Sequence, residues 1–460
     1  MAIRIGVGVC CVFVCINSLG MAAAYSMENN RQSDRNSTRY VAEPAYTQIF
    51  KENIQAAVAN HPRTAAMIAL RDGQRYRQRE AKSGLYPTLE VGVSGRYRLA
   101  ESFENRFDNI TERSRRSTSA HASLTGRQLL YDAGQTSSRV ASAKHTFTAA
   151  HEEYGQMASR IALQAVENHF QVLFQRRRQL LQREVIDDHS TTLAKVKLRF
   201  ESGRGAERDV ALLESRLALS EADASTVRKD LDTMVSRYEE TYGFAPETLK
   251  RPQISLDLPS SLQQALETGF QNNPALRMAG SITLASKATI AAEKADRLPH
   301  VSLEVSGTKY DLDRGNNDYD ITGRLILNYS LYRGGATKAR IARSLKDFDR
   351  ARHDEADQQR QVEREIKVAF KNRATHDNRV RALKKATEAS RRNSDQLLEQ
   401  FEATGGSLLA LLEARKDYYQ AREQYMASLI EQDILRFRLL DTMGTLNAAL
   451  NIRLKKSVSD

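Results

Sequence analysis

The chain repeats itself, and that constrains its fold more than any other feature. Asn60-His61-Pro62 returns as Asn272-Asn273-Pro274, and Leu85-Tyr86-Pro87 as Arg297-Leu298-Pro299, each 212 residues later. Leu130-Tyr131-Asp132-Ala133-Gly134 returns as Leu331-Tyr332-Arg333-Gly334-Gly335, now 201 residues later. Phe200-Glu201 and Glu240-Thr241-Tyr242-Gly243 keep that spacing against Phe401-Glu402 and Asp441-Thr442-Met443-Gly444. The two copies are about 185 residues each, and the 11 residues lost between the spacings fall between Pro87 and Tyr131. A length change of that kind belongs in a surface loop.

Proline punctuates both copies. Residues 88–245 and 300–460 contain none of the eight prolines, so very long helices are permitted there. Ile341, Leu345, Phe348, Val362, Ile366 and Phe370 keep steps of three and four, as do Leu429, Ile430, Leu435, Leu439 and Leu440. Gly134 to Phe200 reads as one helix of 67 residues, roughly 100 Å long at 1.5 Å per residue. A helix of that length needs an antiparallel coiled-coil partner.

Between the helices the period changes to two. In 88–99 Leu89, Val91, Val93, Tyr97 and Leu99 alternate with Thr88, Glu90, Ser94, Arg96 and Arg98. In 319–331 Tyr319, Ile321, Leu325, Leu327, Tyr329 and Leu331 alternate with Asp320, Thr322, Arg324 and Asn328. Segments 300–310 and 119–131 are weaker versions. Ten-residue alternation with aromatic ends is the pattern of a barrel strand in a membrane, and also that of a soluble half-buried hairpin. Four strands cannot close a barrel and lipid tolerates no open edge, so membrane strands would require several chains; three would give twelve.

Residues 1–24 read as a secretory signal peptide: Arg4, an apolar core from Ile5 to Leu19, and Ala22-Ala23-Ala24 at the cleavage site. Cys10, Cys11 and Cys15 all lie within it, so a mature disulfide or thiolate metal site is excluded. Past residue 24 no apolar run approaches the ~20 residues of a membrane-spanning helix. The net charge of +12 would suit nucleic acid, but export and the interleaving of acids with arginines argue against that partner.

The order helix, hairpin, long helix, turn, return helix, given twice behind a signal peptide, resembles the TolC-like outer-membrane channel family. The resemblance is carried by the joints 130–134 and 331–335 and the tips Phe200-Glu201-Ser202-Gly203 and Phe401 to Ser407, over roughly residues 44–446. It implies a mainly α chain with a small β part. Long antiparallel coiled-coil helices would form a periplasmic α-barrel, and four transmembrane β-strands would contribute to a trimeric 12-stranded β-barrel. The division that follows is a signal peptide at 1–24, a flexible segment at 25–43, a first repeat at 44–243 with hairpin 88–131 and tip near 201–207, and a linker at 244–260. A second repeat occupies 261–446, with hairpin 300–331 and tip near 402–408, and a tail follows at 447–460. The expected partners are two further copies, outer-membrane lipid, a periplasmic adaptor, and an ABC or proton-driven inner-membrane transporter. Export of proteins by type I secretion, or of small molecules, is the implied function. A soluble periplasmic coiled-coil adaptor is the competing class, and it should lack two matched pairs of alternating strands.

Several residues are singled out. Gly203, Gly205, Gly405 and Gly406 suit sharp helix reversals, and with Arg204 and Ser407 they mark the tips where an adaptor would dock. Alignment on Ser407-Leu408-Leu409 places Glu413 at an acidic ring of the family's periplasmic entrance. A second such position falls on Ala410. Leu408, Leu409, Leu411 and Leu412 around it read as packing positions. Asp209 resembles the family's closing-link aspartate, with Arg204 and Arg208 beside it. In the strands Arg96, Arg98, Arg127 and Arg324 fall on the polar face; they would line the lumen and attract acidic cargo, or anchor the rim near lipid phosphates. Loop 101–117, which holds the extra residues, is expected to be extracellular. Asp311, Asp313, Gly315, Asn317 and Asp318 fit turn chemistry better than a calcium loop. No catalytic motif, metal-ligand spacing or cofactor motif is present.

Overall fold

The structure is a computed structural model and describes residues 44–455 except 101, 103–109, 111–116 and 313–316. The signal peptide, the 25–43 segment, nearly all of loop 101–117, Asp313 and Gly315, and residues 456–460 lie outside the described residues.

The first copy comprises α1 (Pro44–Asn60), α2 (Pro62–Ser83), β1 (Thr88–Tyr97), β2 (Thr118–Tyr131), α3 (Gln135–Glu201) and α4 (Glu207–Tyr242). The second gives the same six in the same order: α5 (Leu262–Asn272), α6 (Pro274–Ala295), β3 (His300–Lys309), β4 (Tyr319–Asn328), α7 (Ala336–Thr404) and α8 (Leu408–Thr442). A single turn, α9 (Leu446–Ala449), follows. The extra residues sit in the hairpin loop, 98–117 in one copy against 310–318 in the other. Alternation predicted strand to Leu99 and Leu331, but β1 stops at Tyr97 and β4 at Asn328. Beyond those points the chain leaves the ladder for a loop or for the joint to α7, so Tyr329 and Leu331 are exposed without being in a strand.

The repeated motifs have local causes. Pro62 and Pro274 open helices, where the missing N–H costs nothing; His61 and Asn273 cap them, the Asn273 amide oxygen accepting from Ala275 N at 2.9 Å. Gly134 and Gly335, with φ of 82° and 83°, turn strand into helix. Gly243 and Gly444 terminate their copies in the same left-handed region. A Cβ on Gly444 would lie 2.3 Å from the Asn272 carbonyl oxygen, so only glycine fits there.

The α3/α4 and α7/α8 hairpins lie side by side through α3 and α8, giving the lateral order α4–α3–α8–α7. Nearer the sheet, α2 and α6 pack on α3, and α6 also packs on α7. One apolar core at mid-height joins Phe50 and Ile54 of α1 to Ile161, Phe170, Ile366, Ile434 and Leu439; a smaller one behind the tips joins Val196, Leu213, Phe401 and Leu411. The 244–260 linker is held against this middle: Arg176 donates to the Pro246 carbonyl at 2.6 Å and Arg251 grips Asp433 at 2.7 and 2.8 Å. The C-terminal segment is built in as well. Leu450 is fully buried, and the buried Arg71 lies 5.4 Å over the Tyr154 ring while donating to the Lys455 carbonyl.

Candidate functional site: the sheet faces and the helix tips

The four strands form one antiparallel sheet in the order β1-β2-β3-β4. Paired residues in such a ladder share a face, and the register sorts the side chains cleanly. Val91 opposes Leu124, Leu303 opposes Leu325 and Val301 opposes Leu327. Among the described residues nothing lies on this apolar face: Val91 is 77 % and Leu325 70 % exposed. Against water that burial would be lost on every strand, so the face is built for an apolar surrounding. The strands β1 and β4 each have one unpaired edge. No helix among the described residues is long and apolar enough to cross a membrane.

The opposite face is polar, and it does not carry its arginines as one wall. Arg127, Glu304 and Arg324 lie in one row across β2, β3 and β4, and both guanidiniums bond the Glu304 carboxylate, Arg127 at 2.6 Å. Glu304 is buried beneath them. Arg96 sits at the other end of the sheet opposite Ser119, and Arg98 lies past the strand with its N–H bonded to the Ser117 carbonyl. Sequence reasoning missed Glu304. Its even position among Ser302, Ser306 and Thr308 was the available signal.

At the opposite end of the molecule are the tips. Gly203 and Gly405, with φ of 73° and 71°, make the reversals. Gly205 serves by close approach instead, since a Cβ there would meet Phe200 N at 2.9 Å. Gly406 needs neither and tolerates a Cβ at ordinary contact. Ser407 caps α8 by accepting from Ala410 N, whereas α4 begins at Ala206 without a side-chain cap and carries Glu207 and Asp209 in its first turn. Arg204 and Arg208 are exposed, and Asp209 is half-buried with Arg208 at 3.6 Å.

Glu413 is exposed on α8, as expected of a residue facing a polar space. One of its neighbours departs from expectation. Leu408, Leu411 and Leu412 are buried, but Leu409 is 50 % exposed. It stands one turn before Glu413 on the same face, because the helix packs on α7 and α3 with its other side.

The bonds that hold the two hairpins together near the tips were not foreseen. Lys195 meets Glu402 at 2.5 Å, and Arg199 donates to the Phe401 carbonyl at 2.8 Å with its guanidinium 4.4 Å over the Phe401 ring. Two turns higher, Arg415 donates to Thr192 at 2.8 Å and pairs with Asp188. Burial pushes the Asp188 carboxyl up, against the pull of Arg415. The ladder continues with Arg422 to Glu184 at 2.5 Å and Arg178 to Glu423 at 2.6 Å. The signal was present: Arg415 follows Leu408, Leu411 and Leu412 at packing spacing, which makes it a charge on a buried stripe.

Known proteins share this architecture. The outer membrane efflux protein family matches residues 53–237 and 262–455. The outer membrane efflux protein BepC of Brucella suis is 23 % identical over 324 residues, 70 % of this chain and 71 % of BepC. Among solved structures, VceC of Vibrio cholerae superposes with a TM-score of 0.75 at 14 % identity, covering 88 % of this chain and 99 % of VceC. The CmeC outer membrane channel of Campylobacter jejuni gives 0.75 at 14 %, covering 86 % of each. With both copies matched, the chain belongs to the outer membrane efflux protein family and is a protein of the outer membrane.

Proposed function

We propose that three copies close one twelve-stranded barrel in the outer membrane and one helical tunnel in the periplasm, and that this duct expels small molecules delivered by an inner-membrane transporter and a periplasmic adaptor. The observation that carries the reading is the four-stranded sheet with one apolar face exposed and both edges unpaired. Unpaired backbone groups cost several kcal/mol each in lipid, so the edges must be joined to other copies. Small-molecule cargo is favoured by the family's description and by that of the Brucella relative. Export of proteins by a type I route is the alternative.

In this duct the odd-numbered strand residues of β1, β3 and β4 face lipid. Arg96, Arg98, Arg127 and Arg324 face the lumen, the last two tied to Glu304. The tips around Gly203, Arg204, Gly205, Gly405, Gly406 and Ser407 receive the adaptor. Glu413 forms an acidic ring at the entrance, with Leu409 as an apolar collar on its tip side, and Asp209 with Arg208 flanks the gate.

A deletion strain grown on a panel of toxic compounds, with its secreted proteins profiled in parallel, tests the cargo. Hypersensitivity with an unchanged secretome is expected. Loss of one secreted protein with unchanged sensitivity would transfer the assignment to type I export. For the gate, Glu413→Gln should lower cation selectivity and cation block in single-channel recordings while Glu399→Gln, before the tip, leaves them unchanged; equal behaviour of the two would remove Glu413 from the pore.

A further inference from the structure

The positive charge of the chain is concentrated at one level. Residues 75–87, 130–145, 287–299 and 329–346 are the four passages between helix and strand, each taken with two to three turns of its helix. Together they hold fourteen Lys and Arg against four Asp and Glu. The net charge of the whole chain is +12, so this level carries an excess of ten and all the rest an excess of two.

Exposure widens the imbalance. Twelve of the fourteen basic residues are exposed, and Arg75 and Arg340 are half-buried. Of the four acids only Glu80 is exposed. Asp132 is buried and accepts from Gly134 N at 3.0 Å and Thr136 N at 2.6 Å. Asp296 accepts from Arg333 at 2.8 Å and from Arg340, and Glu293 lies 3.4 Å from Arg340. These three carboxylates are tied into the joints, and the surface at this level is basic.

The sheet fixes the height of the belt. Lys82 and Lys294 each stand six residues before a strand, β1 and β3. Between belt and strands are the exposed Leu85, Tyr86, Leu298, Leu331 and Tyr332, apolar and aromatic side chains of the kind that mark a membrane–water boundary. On α2, Arg75 and Lys82 continue the stripe of Thr64 and Arg71 in steps of four and seven. Lower down, that stripe is covered by the C-terminal segment, Arg71 donating to the Lys455 carbonyl. A segment laid on the wall of a duct lies outside its bore, so the stripe faces the surroundings of the duct. The 212-residue repeat puts Lys287 and Lys294 at the corresponding places on α6.

We infer that this level is a headgroup belt, in which Arg75, Lys82, Lys287 and Lys294 bind the phosphates of anionic phospholipid in the periplasmic leaflet of the outer membrane. The occupant follows from charge complementarity and from continuity with the apolar face of the sheet: acyl chains against Val91 and Leu325 bring headgroups to the joints and the helix turns next to them. Each Lys or Arg near an anionic lipid surface adds about fivefold in affinity, and the attraction reaches about 8–10 Å in physiological salt. The inference rests on the membrane-spanning strands proposed above and adds a lipid preference with the residues that set it.

The test uses the full chain reconstituted at low salt in vesicles of equal phosphatidylcholine and phosphatidylglycerol, then purified with its retained lipid. Phosphatidylglycerol should be enriched several-fold in that lipid, and 1 M salt, where screening shortens to about 3 Å, should erase the enrichment. Lys82→Gln, Lys287→Gln and Lys294→Gln together should remove most of it, while Lys229→Gln, Lys384→Gln and Lys385→Gln, on α4 and α7 far from the sheet, should leave it intact. Lipid retained in the ratio of the vesicles, or equal loss in both triple variants, would overturn the belt. Displacement of phosphatidylglycerol by inorganic phosphate at constant ionic strength would overturn lipid as the occupant in favour of a free anion. A chain that enters vesicles of neither lipid would instead overturn the membrane-spanning reading beneath it.

Discussion

The two long helices α3 and α7 occupy equivalent places in a duplicated sequence, yet α3 buries twenty residues and α7 seven. Their return partners invert the contrast: α8 buries thirteen residues and α4 six. Repetition therefore made two hairpins of one design, and side-by-side packing put one arm of each inside and the other outside. The outer arms, α4 and α7, each pack on one side within the chain, whereas α3 and α8 have helices on both. Both arms mix charges of either sign on their exposed faces, with an acidic excess on α4 and a basic excess along residues 366–392 of α7. The inner arms use charge differently, as a ladder of buried or half-buried pairs between α3 and α8.

That contrast gives its largest test at Arg415. Arg415→Ala would leave the Asp188 carboxyl poorly hydrated and unpartnered between α3 and α8. Removing one member of a buried pair costs about 3–5 kcal/mol, and thermal unfolding should show it. Arg438→Ala, which loses a more exposed pair to Glu167, should cost under about 1 kcal/mol. Equal losses would mean that the inner seam is no more buried than the surface.

The sheet offers the next test. Leu325→Arg puts charge on the exposed apolar face, at about 2–4 kcal/mol near a bilayer midplane, and should reduce assembled trimer. Arg324→Leu, one residue along on the polar face, leaves Glu304 with Arg127 and should assemble nearly as well. Identical defects would undo the assignment of faces.

Acid should also distinguish the two copies. His169 of α3 is buried against Phe50 with its Nε2 on the Lys250 carbonyl, whereas the equivalent position of α7 is Phe370. Burial lowers the His169 pKa from 6.5 to about 4. The folded chain keeps this ring neutral while the unfolded chain protonates it below pH 6.5. Its contribution to stability is therefore present above pH 6.5 and is lost as pH falls toward about 4, to a total of about 3 kcal/mol. His169→Phe should flatten that part of the stability profile measured by chemical denaturation; an unchanged slope between pH 6.5 and 4 would show that the ring is wet.

The smallest effect belongs to the tips. Ser407→Ala removes the cap of α8 and should cost about 1 kcal/mol, while Ala206→Ser, at the uncapped start of α4, should gain a comparable or smaller amount.

Much of this architecture was legible. The 67-residue helix was expected over Gly134–Phe200 and occurs at Gln135–Glu201, because two proline-free stretches and apolar steps of three and four leave no other regular structure. The strand alternation was legible for the same reason, period two being incompatible with a helix. Exposed Glu413 and the tip glycines Gly203 and Gly405 followed from helix geometry and turn conformation. The exposure of Leu409, the bonding of Arg127 and Arg324 to Glu304, and the Arg415–Asp188 pair were not legible.

Local sequence specifies which segments are helices and strands, where they reverse and that they come twice, since these depend on backbone stereochemistry and on periodicities carried within a few residues. Tertiary structure alone decided which copy of each helix lies inside, which charges are buried in pairs and which faces remain for another copy. Those outcomes depend on contacts between residues 177 to 227 positions apart, such as Arg127 with Glu304 and Arg415 with Asp188, and no local pattern encodes which of two nearly equal helices will have neighbours on both sides.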